Sequence, residues 1–213
     1  MAYETEEEQL EALRRWWQEN GRSVIAGVII AIAGVVGWQQ WQAWQERSAL
    51  EASAQYDGLN ARIAAGEGEA VREALTTLQE DSAGSPYATL GSLAAARYFA
   101  EREDFDAAMG ALRWALENAP SDALRRVARL RLGAVEYAAG ELEAALATLD
   151  PVPDGAFAAR YHELRGDVLV AAGRADEAIT AYRDALEADP LGQRRGYVEV
   201  KLTDLGAEPP EAS

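Results

Sequence analysis

A chain of 213 residues with 36 acidic and 20 basic side chains, a formal net charge of −16, has room for one ordinary domain with an appendage or for a short repeat array. The acidic balance argues against a nucleic-acid binder, because neutralising phosphates takes clustered Lys and Arg. With no cysteine and a single histidine, His162, all-cysteine, cysteine–histidine and multi-histidine metal sites and a Cys–His nucleophilic pair are excluded. Alanine makes up roughly a fifth of the residues and no long stretch alternates apolar with polar, so the expected fold class is all-α.

The N-terminal segment, 1–22, carries Glu4, Glu6, Glu7, Glu8, Glu11 and Glu19 against three arginines. Thr5-Glu6-Glu7-Glu8 fits a capping box, and a helix starting there puts Leu10, Leu13 and Trp17 on one face. Asn20-Gly21 is expected to end it. Two readings stand: a short amphipathic helix at the inner membrane surface, or a docking element for a cytoplasmic or membrane partner.

From Ser23 to Gln45 there is no charged side chain, although the mean hydropathy of the whole chain is only −0.24. As helix, Val24 to Trp44 spans about 30 Å, the thickness of a bilayer's hydrocarbon core. Trp38, Trp41 and Trp44 cluster at one end and Trp16 and Trp17 lie beyond the other, as amphipathic rings at two headgroup levels would. Residues 23–45 are therefore expected to be a transmembrane helix. A cleaved signal peptide fits poorly: its n-region would be glutamate-rich, and the first suitable site, Ala52-Ser53-Ala54, lies past Glu46, Arg47 and Glu51. Arg14, Arg15 and Arg22 before the span outnumber Arg47 and the more distant Arg62 after it, which favours a cytoplasmic N-terminus and, in a bacterial inner membrane, a periplasmic C-terminal domain. Within the span Gly27, Ala31 and Gly34 form a stripe of small residues at i, i+4 and i+7. Such a stripe lets another helix approach closely, and it is also common in membrane helices generally.

Residues 46–206 read as a helical repeat array. Small residues recur in pairs twelve apart, Ala96 and Ala108, Gly133 and Ala145, Gly166 and Ala178, with offsets of 37 and 33 between pairs. These bracket the roughly 34 of a tetratricopeptide unit. Gly173, Tyr182, Ala185 and Pro190 complete that repeat's pattern in the last unit, and Phe99, Phe105, Ala115 and Pro120 in the first. The middle unit keeps Gly140 and Leu149 but breaks at Asp150-Pro151-Val152-Pro153, so its second helix should be short. Upstream, helix is expected from Glu46 to Ala65, turning at Gly66-Glu67-Gly68 into another over about 69–79. Downstream, Tyr197, Val198, Val200, Leu202 and Leu205 suit a short helix covering the array's apolar edge. Residues 207–213 are expected to be a disordered tail.

Little here suggests catalysis. Asp104-x-Asp106 precedes a helix, where an N-cap is a better reading than calcium. Gly66-x-Gly68 follows no strand and makes no phosphate loop, and His162, alone on a helix, reads as a structural or surface residue rather than a functional one. The expectation is no enzyme, no cofactor, no metal and no small-molecule substrate. Helical arrays instead present a groove. In tetratricopeptide arrays, which this part resembles, first helices line it, and the matching positions are Leu93, Arg97, Leu130, Tyr137, Glu163 and Asp167. Internal packing of several of these is the competing reading. A lysine–asparagine carboxylate clamp is not available, because the three repeats lack lysine and contain only Asn118.

The whole chain resembles the bacterial inner-membrane family of tetratricopeptide-like proteins described as ancillary subunits of the Sec translocon. The resemblance rests on residues 8–22, Glu8-Gln9-Leu10-Glu11-Ala12-Leu13-Arg14-Arg15-Trp16-Trp17-Gln18-Glu19-Asn20-Gly21-Arg22, on Gly37-Trp38-x-x-Trp41, and on Arg165-Gly166-Asp167 with Gly173. It implies a place beside the translocation channel and a complex with a membrane-anchored periplasmic chaperone of the prolyl-isomerase type. It also implies a link to a stress-response regulator on the cytoplasmic side. The function expected is a membrane-anchored adaptor, with a tethered regulator acting through residues 1–22 as the alternative.

Overall fold

The computed structural model describes residues 2–189 and 192–208, with side chains from residue 8 onward in those ranges. Among them every regular element is an α-helix: α1 Ala2–Ala65, α2 Gly68–Asp81, α3 Pro86–Ala100, α4 Phe105–Asn118, α5 Asp122–Ala138, α6 Leu142–Leu149, α7 Ala158–Ala171, α8 Ala175–Glu187 and α9 Arg195–Asp204. The chain divides into two compact units, Met1–Leu50 and Glu51–Ser213.

The first unit is the leading part of α1, and it departs from expectation at both ends of its acidic segment. The helix already runs from Ala2, so Thr5 lies inside it rather than capping it. Asn20-Gly21 does not end it either. A glycine inside a helix costs only about 1 kcal/mol relative to alanine, too little to interrupt a helix that runs unbroken from Ala2 to Ala65. No left-handed residue follows Asn20, so a C-cap cannot form. Instead the Asn20 side-chain amide donates to the Trp16 carbonyl at 3.1 Å. The Trp17 indole covers Gly21, lying 3.4 Å from where a Cβ would stand. The helix is long and apolar enough to cross a membrane. Its large side chains are uncovered, Ile30 being 72% exposed.

The second unit begins with the last turns of α1, whose Leu59 shares a core with Val71, Leu75 and Leu78 of α2 and with α3 and α4. Three helix hairpins follow, α3–α4, α5–α6 and α7–α8. Each helix packs on the next, and α3 touches α5 as α5 touches α7, which stacks the first helices side by side. The small pairs sit where helices meet, with Ala96, Ala108, Ala145 and Ala178 all buried. A Cβ on Gly133 would stand 2.9 Å from Leu149 Cγ, and one on Gly166 would stand 2.4 Å from Tyr182 Cε1, so these two glycines are contact positions for the second helix. Pro86 opens α3 behind the Ser85 cap, and Ser121, just after Pro120, caps α5. The Asp104 side chain accepts from the Ala107 N–H at 3.3 Å, the N-cap expected of it.

Turns inside the hairpins use one left-handed residue each. Seven positions after the first small residue of each pair stand Gly140 (φ 80°), Gly173 (φ 74°) and, in the first repeat, Glu103 (φ 59°). The short second helix of the middle unit is α6, of 8 residues, ending at Asp150. At the far end, α9 covers the last hairpin with Val198 and Leu202, both buried, and with half-buried Leu205. Tyr197 and Val200 do not take part, being 71% and 60% exposed. A 3.6-residue period places 198, 202 and 205 on one face and turns 197 and 200 away from it. Ala207 is ordered, its N–H bonded to the Leu202 carbonyl at 3.0 Å, whereas Pro190 and the tail residues 209–213 lie outside the described residues.

Candidate functional site

First helices α5 and α7, with α9, line a cavity of about 540 Å³. Its apolar lining is Val127, Leu130 and Ala134 from α5, Leu164 from α7, and Phe157 just before α7. A shallower apolar depression of about 240 Å³ lies between α3 and α5, lined by Leu93, Ala96, Arg97 and Val135 among others. Arg131 and Ala134 belong to both, so the two adjoin at α5 and together make up the groove face lined by α3, α5, α7 and α9.

The charged part of that lining is mostly internally satisfied. Glu163, 5% exposed, accepts from Arg194 Nη2 at 2.8 Å and from Arg194 Nε, and from Lys201 Nζ at 3.0 Å. Lys201 also donates to both oxygens of Asp167, at 2.7 and 2.8 Å, and the Tyr182 hydroxyl donates to Asp167 at 2.7 Å. Burial pushes the Glu163 carboxyl up, but the hydrogen bonds from Arg194 and Lys201 outweigh it and hold it below the ordinary range. Lys201 loses by burial and gains more from Asp167 and Glu163, so it stays firmly protonated. Burial, then the bond to Asp167, keeps the Tyr182 phenol protonated throughout. Among the described residues Arg131 meets only a backbone acceptor, the Leu93 carbonyl at 3.4 Å.

Five of the six expected groove positions thus line this surface: Leu93 and Arg97 the shallow end, Leu130, Glu163 and Asp167 the deep one. Leu93 is itself 4% exposed. Glu163 and Asp167 are engaged in holding α9 against α7. Tyr137 is elsewhere, half-buried against the cluster of Ala145, Leu149, Tyr161 and Val168. Sequence reasoning missed Arg131 and Arg160, which continue the helical spacing of Val127 and Asp167, and missed Arg194, Tyr197 and Lys201. The last three come from outside the repeat pattern and leave no periodic trace. His162 faces away, its Nδ1 3.7 Å from Asp184 of α8. Burial lowers its pKa, Asp184 opposing and Arg165 assisting.

In the first unit the five tryptophans are exposed in two groups. Trp16 and Trp17 have ring centroids 6.3 Å apart, and Trp38 and Trp41 have theirs 5.1 Å apart, with Trp44 one turn further. From Trp17 to Trp38 the helix rises about 32 Å. Between them Gly27, Ala31 and Gly34 share a face, and around Gly27 and Gly34 there is open space.

Residues 14–207 match the family described as a tetratricopeptide repeat-like domain. The chain is 35% identical over 206 residues to the ancillary SecYEG translocon subunit of Haemophilus influenzae, covering 96% of this chain and 100% of that one. It is 34% identical over 207 residues to the protein of the same description from Aggregatibacter actinomycetemcomitans, covering 96% and 100%. The counterpart from Escherichia coli is 29% identical over 203 residues, covering 95% and 98%. End-to-end alignment at these identities, over both the apolar helix and the repeats, means that the chain belongs to the family of ancillary SecYEG translocon subunits.

Proposed function

We propose that the protein is a non-enzymatic adaptor of the Sec translocon, anchored in the bacterial inner membrane by one pass of α1. Its N-terminus lies in the cytoplasm and its array in the periplasm, where the repeats bind a membrane-anchored chaperone, emerging polypeptides, or both. The observation that carries this reading is the joining of one membrane-length apolar helix to a repeat array with an open groove, in a chain aligned end to end with relatives named for SecYEG. The tryptophan groups flanking the apolar stretch support its reading as a span. The small-residue face offers a place for close contact with another membrane helix.

The test is co-purification of the tagged chain with the translocon from bacterial membranes. Association is expected for the natural chain and its loss when 23–45 is replaced by an unrelated span. Association that survives the replacement removes any role for Gly27, Ala31 and Gly34. Deleting 4–11 should leave most of the function intact; loss of function with translocon association retained would favour the regulator acting from the cytoplasmic side.

A further inference from the structure

The charges along the groove run opposite to those of the rest of the array. After the apolar stretch the chain has 30 acidic and 17 basic side chains, yet the two joined depressions are lined by five cations, Arg97, Arg131, Arg160, Arg194 and Lys201, against Glu163 and Asp167. Arg194 and Lys201 are engaged with those two acids, and Arg97 with Glu101 at 2.7 Å. Arg131 and Arg160, both in the lining of that cavity, have no carboxylate partner among the described residues. At physiological salt the field of distant charges is screened within about 8 Å, so these two guanidiniums, not the overall negative charge, decide what a bound group meets. Beside them lie Leu130, Phe157 and Leu164, which a small anion would leave uncovered.

Resting on the adaptor reading, we infer that this groove docks polypeptide segments in which carboxylate side chains stand next to an apolar or aromatic side chain. It discriminates against segments whose charges are basic. Arg131 and Arg160 pair with the carboxylates through their forked donors, and the α5–α7 wall between them takes the apolar side chain. The satisfied Glu163–Arg194–Lys201–Asp167 cluster forms the closed end of the groove and holds α9 in place as its wall.

The experiment uses the full chain in detergent micelles at physiological ionic strength, with fluorescein-labelled short peptides read by anisotropy. One peptide combines Phe and Leu with Glu and Asp, a second replaces the acids with Lys, and a third keeps the acids and replaces the apolar residues with Ser. The first is expected to bind at least about tenfold tighter than either other, a difference of about 1.4 kcal/mol. The double variant R131E/R160E, at two exposed positions and checked for an unchanged melting profile, should abolish that preference, and R131K/R160K, which keeps the charge without the fork, should keep its direction with a smaller margin. Equal affinity for the acidic and basic peptides overturns the inference, as does a preference that survives charge reversal. A reversal that changes the sedimenting mass but not peptide affinity assigns the groove to a second copy and overturns it as well. Peptide binding that emerges only when residues 208–213 are deleted assigns the groove to the chain's own acidic tail, with the same consequence. Absence of the preference in the natural chain, with its translocon co-purification intact, refutes this inference alone. Failure of the natural chain to co-purify refutes the adaptor reading, while the peptide series still decides the groove.

Discussion

Glu103 holds a left-handed backbone, φ 59°, at the position where the other two repeats have Gly140 and Gly173. That conformation costs a side-chain-bearing residue about 1–2 kcal/mol. Replacing Glu103 with Gly should raise the thermal midpoint by the equivalent of about 1 kcal/mol, and Gly173→Ala should lower it by a similar amount. At Gly166 the obstacle is packing. A methyl there would stand 2.4 Å from the Tyr182 ring, whose hydroxyl is tied to Asp167, so the ring cannot simply retreat. Gly166→Ala should cost about 1–3 kcal/mol in chemical denaturation. Two neighbouring groups set the response to acid. The His162 pKa is lowered from 6.5, so the unfolded chain binds the extra proton more readily; the contribution of His162 is complete above pH 6.5 and is withdrawn as pH falls below it. Glu163 is lowered from 4.5, so its contribution is complete above pH 4.5 and is withdrawn below. Between about pH 7 and about pH 5.5 the denaturation midpoint should therefore fall, and it should fall less in His162→Gln.

Among the elements, α9 depends on charge more than its sequence suggests. Two of its apolar residues are buried, and the rest of its hold on α7 passes through Lys201, with Arg194 just ahead of the helix. Removing one partner of a buried ion pair costs about 3–5 kcal/mol, less here because Lys201 keeps a quarter of its exposure. Lys201→Met should destabilise by about 2 kcal/mol, with the loss of hydrogen-exchange protection concentrated in α9. The hairpins could be read in advance because close helix contact demands small residues at fixed spacing, and Ala96, Gly133 and Gly166 satisfy that demand locally. The short α6 followed from Asp150-Pro151. The unbroken α1 could not be read so, because Asn20-Gly21 is a stop signal only where the helix has nothing to gain by continuing. The left-handed Glu103 escaped for a related reason, tertiary packing overriding local preference, whereas the outward Tyr197 follows from the helical period alone.

Across the whole array, arginines bind repeat to repeat. Arg129 donates to the Tyr161 hydroxyl at 3.1 Å and to the Pro151 carbonyl, with its guanidinium 4.8 Å from the Tyr161 ring centre. Fully buried Tyr161 in turn donates to the Arg126 carbonyl at 2.7 Å, joining α7 to α5. In a linear array such interfaces carry the cooperativity. Arg129→Ala should therefore broaden the urea transition and reduce its slope, and not merely shift its midpoint. The groove needs the same continuity, since its walls come from four first-helix or capping elements rather than from one fold nucleus. Lys201 is the chain's only lysine, and the ion cluster engages its ammonium on two carboxylates. Amine-directed cross-linkers will therefore capture few neighbours of this protein however closely they sit. The rate at which an amine reagent modifies Lys201 will instead be a single-site clock for the opening of the C-terminal wall.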